Sequence, residues 1–293
     1  MNFLRGVTAT TVVCTALLLG CIPLYLLGIL RIPLRGRPRI AINRAMDAVV
    51  QRWVAIHRLT FAALGVTRIH VQWRGDTELT TRGWYLVLSN HQSWADILIL
   101  QNIFQGRIPI LKFFTKRQLI WVPLLGLAMW FLGFPYVRRL PREKIAADPS
   151  LATLDRQATL NACQGFRDHP TSVLSFVEGT RFTPAKHAEQ EARFEKLLNP
   201  KLGGVSYVVT ALADRMDGVL DVTVIYPEGV PTIWELMQGR CPRVEVLVEA
   251  RALPPEVQGQ TDPDAVREQL RPWIETIWQE KDQRLKKLDG FAN

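Results

Sequence analysis

Ser89-Asn90-His91-Gln92-Ser93-Trp94-Ala95-Asp96 is the stretch on which the reading of this chain turns. It follows an apolar run, Trp84-Tyr85-Leu86-Val87-Leu88, that reads as a buried strand, and it leads into Ile97-Leu98-Ile99-Leu100, which continue a helix. Ser93 suits the N-cap of that helix. Asp96 suits its first turn, where a carboxylate complements the positive end of the helix dipole. Residues five apart on one helix point about 140° away from each other, so His91 and Asp96 cannot meet if both are helical. With His91 in the turn ahead of the helix and Asp96 inside it, the carboxylate reaches the imidazole. The pair is then a base with its orienting acid at the end of a strand, where α/β sheets place ligand sites. A loop histidine and a first-turn acid with no chemistry between them would read the same way, so Asn-His-x4-Asp alone does not decide function.

Upstream lies a different kind of segment. Residues 6–30 carry no charge and are rich in Leu, Val and Ile, and these 25 positions are longer than a ~30 Å hydrocarbon core requires. Arg31, Arg35, Arg37, Arg39 and Arg44 follow, which by the positive-inside bias puts the downstream chain in the cytoplasm. The h-region is too long for a signal peptide and no small-x-small site precedes the arginines. Pro23 and Gly28 leave a bent or re-entrant helix open beside a straight span. Residues 31–66 form a basic linker, within which 44–65 shows loose helical spacing with Arg44, Arg52 and Arg58 interleaved. This is an amphipathic helix, packed on the domain or lying at the membrane surface.

From residue 67 onward strands and helices alternate, which predicts a single α/β domain running to residue 293. The strands are read at 69–73, 84–88, 108–114, 172–177, 219–226 and 244–248, and the helices at 151–169, 203–213 and 264–288. Residues 118–137 are again uncharged for 20 positions, a second membrane-spanning length interrupted by Pro123, Gly126, Gly133 and Pro135. The net charge of +9 fits phosphate ligands or an anionic membrane face. Nucleic acid is not the partner expected, since no recognition motif is present and the basic residues gather beside an apolar anchor. Cys14, Cys21, Cys163 and Cys241 form no CxxC or Cys/His cluster, so neither a zinc site nor a disulfide framework is expected. His57, His70, His169 and His187 lack ligand spacing and read as structural or surface residues.

The run Ser172–Val177 leads straight into Glu178-Gly179-Thr180-Arg181. Glycine admits a ligand close to the backbone, a threonine hydroxyl can donate, and arginine forks onto phosphate oxygens. Alone, a strand-ending turn with a surface ion pair would look the same. Paired with the histidine motif 87 residues upstream, it points to one site built at two strand ends.

Together these two blocks resemble the PlsC-like glycerophospholipid acyltransferases, the 1-acylglycerol-3-phosphate acyltransferase family. Lys116-x2-Leu119-x3-Pro123-x2-Gly126 is similar to that family's lysine–proline–glycine segment, and Gly133-x5-Arg139 occupies the place of its glycine–arginine block. The similarity covers about residues 85–230, and its wording is nearest to bacterial members. One departure stands at Val224-Ile225-Tyr226-Pro227, where the family often has Val-Pro-x-x-Pro.

The resemblance implies a glycerol-3-phosphate-acyltransferase-like αβα domain behind an N-terminal membrane-anchoring helix, on the cytoplasmic face of the bacterial inner membrane. It implies that His91, oriented by Asp96, deprotonates the free sn-2 hydroxyl of a lysophospholipid for attack on the thioester of acyl-CoA or acyl carrier protein. Arg181, helped by Lys116 and Arg139, would hold the phosphate, while Glu178, Gly179 and Thr180 shape that pocket. No metal or organic cofactor is implied. A single site also requires that residues 118–137 not cross the membrane, or His91 and Arg181 would end on opposite sides. The chloramphenicol-acetyltransferase pattern, His-x3-Asp-Gly, does not fit, because the spacing here is four and no glycine follows Asp96. A non-catalytic lipid-binding member of the same fold is the remaining alternative.

Overall fold

The computed structural model describes residues 1–75, 78–137 and 150–289. Two long helices open the chain, α1 (Asn2–Arg31) and α2 (Gly36–Leu64), followed by β1 (Arg68–Arg74), β2 (Tyr85–Ser89) and α3 (Ala95–Phe104). Shorter pieces come next: β3 (Leu111–Phe113), β4 (Thr115–Lys116), a 3-10 turn at Arg117–Trp121, α4 (Leu125–Phe131) and β5 (Tyr136–Val137). The second half carries α5 (Ser150–Gln164), β6 (Ser172–Phe176), α6 (Pro184–Glu189) and α7 (Gly203–Leu212). It closes with β7 (Gly218–Ile225), α8 (Ile233–Met237), β8 (Arg243–Arg251) and α9 (Pro263–Asp289).

Six strands make one sheet in the order β1-β8-β7-β2-β6-β3, every neighbouring pair parallel except the antiparallel β7–β8. All five residues of β2 are buried, as a strand covered on both faces demands. Tyr85 and Val87 face a core shared with Phe61, Ala95 and Ile99, whereas Leu86 and Leu88 face Val205, Val209, Ile274 and Trp278. The two cores on opposite faces make the expected αβα layering. The register of β2 on β6 sets Ser89 opposite Phe176, an offset of 176 − 89 = 87 residues. That is the spacing between His91 and Glu178, so the turns leaving these strands emerge side by side.

The apolar run at 118–137 forms no long helix. It is divided among the 3-10 turn, α4 and β5, and Gly126 is pressed so close to the Ile120 carbonyl that a Cβ has no room. The helix at 151–169 ends as an α-helix at Gln164 and continues as a 3-10 turn, Gly165–Asp168. α2 begins eight residues before the amphipathic stretch read at 44–65 and is closed by Gly65 in the left-handed conformation, φ 59°.

α1 is the one helix among the described residues long and apolar enough to cross a membrane, which suggests membrane association. It does not stand away from the domain. Near its start Phe3 packs edge-on against Trp234 of α8, and Gly6 leaves space for Trp234 and Gln238. Its middle sends Ala9 and Val13 into the main core, and Trp53 Nε1 donates to the Val13 carbonyl. Near its end Gly28 lies against Phe131 of α4, and the Tyr25 hydroxyl donates to the Leu124 carbonyl. The opposite face, with Leu4, Leu19, Ile22, Leu26 and Ile29, is exposed.

α9 is fastened to the sheet by a buried ion cluster. Lys281 is fully buried, lies 2.6 Å from Asp221 of β7 and donates to the Val222 carbonyl. Arg251 and Arg284 approach the same carboxylate at 3.4 and 3.6 Å. Because β7 is hydrogen-bonded to β2, this cluster supports the strand that carries the histidine turn. Asp221→Asn strands a buried ammonium, so it should cost roughly 3–5 kcal/mol in the urea unfolding midpoint. The double substitution Asp221→Asn/Lys281→Met should recover most of that loss. A single variant within about 1 kcal/mol of wild type would show that the cluster does not hold α9.

Candidate active site

Beyond Ser89 the chain turns before α3, and side chains stand in for the missing ladder. Asn90, fully buried, donates through Nδ2 to the Val224 carbonyl at 2.9 Å and accepts the Val224 N–H on Oδ1 at 2.8 Å. It thereby mimics one more residue of β2 against β7 and fixes where His91 leaves the sheet. Ser93 is not the assigned cap. α3 begins at Ala95 behind Trp94, and the Ser93 hydroxyl donates to the Pro231 carbonyl at 2.5 Å while accepting the Ala95 N–H at 3.1 Å.

Asp96 organises the turn. Its Oδ2 lies 2.8 Å from His91 Nδ1 and accepts the backbone N–H groups of Gln92 and Ser93 at 2.7 and 2.9 Å. Its Oδ1 accepts the Tyr226 hydroxyl at 2.6 Å, and the carboxylate is fully buried. Asp96 Oδ2 accepts from the two neighbouring amides and faces the ring nitrogen as an acceptor, so the hydrogen on the imidazole belongs on Nδ1. Nε2 then carries the lone pair and has no protein partner among the described residues. The ring stacks on Phe176, with centroids 3.8 Å apart and planes within 15°. That contact leaves the imidazole little freedom to rotate. The Tyr226 phenol is held well above its ordinary pKa by burial and by the Asp96 charge, so it remains a donor.

Glu178 takes a different place from the pocket-shaping one implied by its motif. It is fully buried; Oε1 accepts the His91 N–H at 2.7 Å and Oε2 accepts the Leu198 N–H at 2.9 Å. Its carboxylate therefore fastens the backbone of the histidine turn to the loop before α7. Phe182 N–H donates to the His91 carbonyl at 2.7 Å, a second tie between the two motifs. Gly179 sits at φ 69°, the left-handed turn that a glycine accepts without strain, and Lys201 occupies the space where a Cβ would go. Thr180 accepts a 2.8 Å hydrogen bond from Lys186, whose ammonium also donates to the Arg181 carbonyl at 3.1 Å. Arg181 is exposed, its guanidinium lying 5.1 Å from the Trp94 ring centre, over the histidine turn.

His91, Asp96, Glu178, Gly179, Thr180 and Arg181 thus share one neighbourhood. Lys116 is exposed on β4, whose only partner strand is β5, and it makes no hydrogen bond or ion pair among the described residues. Arg139 lies outside the described residues. Three contributors escaped the sequence reading: Tyr226, Asn90 as a strand mimic, and Lys186. For Tyr226 a signal was available, a polar tip at the C-terminal end of an apolar strand. Among the described residues no group of histidines, cysteines and acids could hold a metal ion.

A family model described as Acyltransferase matches residues 70–232. Lysocardiolipin acyltransferase 1 of Gallus gallus is 26% identical over 218 residues, covering 69% of this chain and 53% of that protein. The 1-acyl-sn-glycerol-3-phosphate acyltransferase gamma of Mus musculus is 26% identical over 210 residues, 67% of this chain and 51% of its own length. The chain spans about half the length of these curated relatives. The crystal structure of the 1-acyl-sn-glycerophosphate (LPA) acyltransferase PlsC from Thermotoga maritima shares the fold, with a TM-score of 0.56 at 14% identity over 97% of both chains.

Burial pushes the Glu178 carboxyl up from 4.5 to about 7, against the pull of the Leu198 and His91 N–H groups. An acid whose folded pKa is raised contributes stability that is complete below about pH 4.5 and is lost as pH rises through about 7. The loss should be on the order of 3 kcal/mol. Urea midpoints measured across that window should fall in the wild type, and Glu178→Gln should remove this part of the slope. A slope unchanged in Glu178→Gln would assign it to other groups.

Proposed function

The chain belongs to the acyltransferase family, and on that premise we propose that it is a membrane-bound lysophospholipid acyltransferase. It moves a fatty acyl group from acyl-CoA or acyl carrier protein to the free sn-2 hydroxyl of a 1-acylglycerol-3-phosphate or a related lysophospholipid. The observation that carries this reading is the His91 imidazole, bonded through Nδ1 to Asp96 and open at Nε2, with the exposed Arg181 on the neighbouring turn.

Nε2 accepts the proton of the glycerol hydroxyl as its oxygen attacks the thioester carbonyl, and Asp96 stabilises the imidazolium that forms. A C–O bond is made. The tetrahedral centre then collapses with cleavage of C–S, and the imidazolium returns its proton to the departing thiolate. No acyl-enzyme is needed. Arg181 is assigned to the acceptor's phosphate, where its planar fork suits two oxygens; its guanidinium rests on Trp94, three residues after the base. Lys116 and Arg139 are assigned to the same phosphate. Thr180, Gly179 and Lys186 set the turn that aims Arg181, and Glu178 acts as a positioning residue through the His91 backbone.

Attachment is read as one-sided, on the cytoplasmic face of the bacterial inner membrane. The arginines after α1 favour that side. Both ends of α1 pack on the same domain, at α8 and at α4, which suits a helix lying along the interface with its bare apolar face toward the lipid tails.

With detergent-solubilised protein, radiolabelled acyl-CoA and a panel of lysophospholipids, His91→Ala should abolish transfer while the protein still folds and stays membrane-associated. Asp96→Asn should slow turnover by roughly 10²–10⁴. Near-normal turnover in His91→Ala would overturn the mechanism.

The same assay separates the phosphate contact. Arg181→Ala should weaken the acceptor by about 1.5–3 kcal/mol, seen as a raised acceptor KM, and Arg181→Lys should restore only part. An effect confined to the acyl-CoA KM would move Arg181 to the donor side.

A further inference from the structure

A cavity of about 410 Å³ opens between the end of α1, the first turns of α2, the segment after α4 and the 3-10 turn that follows α5. Its cations are Arg31, Arg39 and Lys112; its acids are Asp47 and Asp168. Asp47 is already engaged with His169 Nε2 at 2.5 Å, and Arg31 reaches Asn43 at 3.3 Å. Lys112 is the anomaly. It sits on the edge strand β3 with only 7% of its surface exposed, yet its ammonium has no hydrogen bond or ion pair among the described residues. Its Nζ lies 5.7 Å from the centre of the Phe166 ring.

A buried, unpaired ammonium is costly unless something anionic meets it. Here it faces a polar cavity in which two arginines add positive charge. Among the described residues, none of His91, Asp96, Lys116 and Arg181 lines this space. Its surroundings point to where the anion comes from. Trp130 lines the cavity and is half exposed, and the apolar residues Ile29, Leu30, Ile32, Trp121, Leu124 and Leu127 nearby are bare. Burial lowers the Lys112 pKa to about 8; the Asp47 charge pulls against that fall and the Arg31 charge adds to it.

We propose that this cavity is a second anion site that takes the phosphate group of a phospholipid headgroup, with Lys112 at its floor and Arg31 and Arg39 at its walls. The acyl tails of that lipid would lie along the bare apolar faces of α1 and α4. The inference does not depend on acyl transfer, and a chain of this structure would carry the site whatever reaction His91 serves.

The test uses the full chain in a neutral detergent and reads the unfolding temperature. One arm adds inorganic phosphate against chloride at matched ionic strength. The other adds short-chain phosphatidylglycerol against phosphatidylcholine. The wild type should gain about 2–4 °C with the preferred ligand, since binding to the native state alone shifts unfolding. Lys112→Met should lose that gain while unfolding no earlier than wild type without ligand. Arg39→Gln, at the exposed rim, should reduce the gain and serves as the informative variant if Lys112→Met does not fold. Arg181→Ala should keep the gain. A response to free phosphate alone assigns a soluble ion to the site, and a response to phosphatidylglycerol alone assigns the headgroup; either supports the site when Lys112→Met abolishes it. The proposal is overturned if wild type responds to neither ligand, if Lys112→Met responds as wild type does, or if the response is lost in Arg181→Ala alone.

Discussion

The Asp96 carboxylate is the point on which the site depends. Four donors converge on it: an imidazole, two backbone amides and a phenol. Each comes from a different structural obligation. The amides close the turn between β2 and α3, the imidazole is aimed at the open face, and the phenol ties the end of β7 to the start of α3. A buried carboxylate is tolerated only when its oxygens are satisfied, so the same bonds that make Asp96 affordable also define the conformation of its neighbours. Losing one donor therefore disturbs more than one bond.

Glu178 repeats that logic on the neighbouring strand with a different result. Its oxygens are occupied by backbone amides, so it shapes the site without facing it. The two carboxylates have divided the work. Asp96 sets the orientation of the histidine ring, and Glu178 sets the path of the histidine backbone. Parallel pairing of β2 with β6 makes the division possible, since it delivers both turns to the same edge of the sheet. The motif glutamate is thereby distinguished from the arginine three residues later, which is exposed and faces outward.

Much of this was legible in the amino-acid order because it is local. The apolar run before Ser89, the five-residue step from His91 to Asp96, and the glycine in the left-handed turn at 179 all depend on neighbours along the chain. The breaks at Pro123 and Gly126 likewise foretold that residues 118–137 would not form one long helix. What escaped depends on pairing between distant segments. Tyr226 reaches Asp96 across 130 positions, and Asn90 reads as a loop residue until Val224 lies beside it. Lys281 looked like one more charge on an amphipathic helix, because only the sheet order shows that its position faces β7. Lys112 sits in an otherwise apolar strand, and no periodicity distinguishes a lysine that snorkels to solvent from one that ends in a cavity.

The packing of α1 has a consequence for how the protein is made. Gly6 lies against Trp234, so α1 leaves the ribosome well before a partner that is synthesised 228 residues later. At ordinary elongation rates of about 5–20 residues per second, that interval is roughly 11–46 s. Throughout it the face formed by Gly6, Ala9 and Val13 has no domain to cover it. A helix this long and apolar is suited to rest against a bilayer surface through that interval. The main core, which takes in Ala9 and Val13, is complete only once the later strands and helices have joined α1.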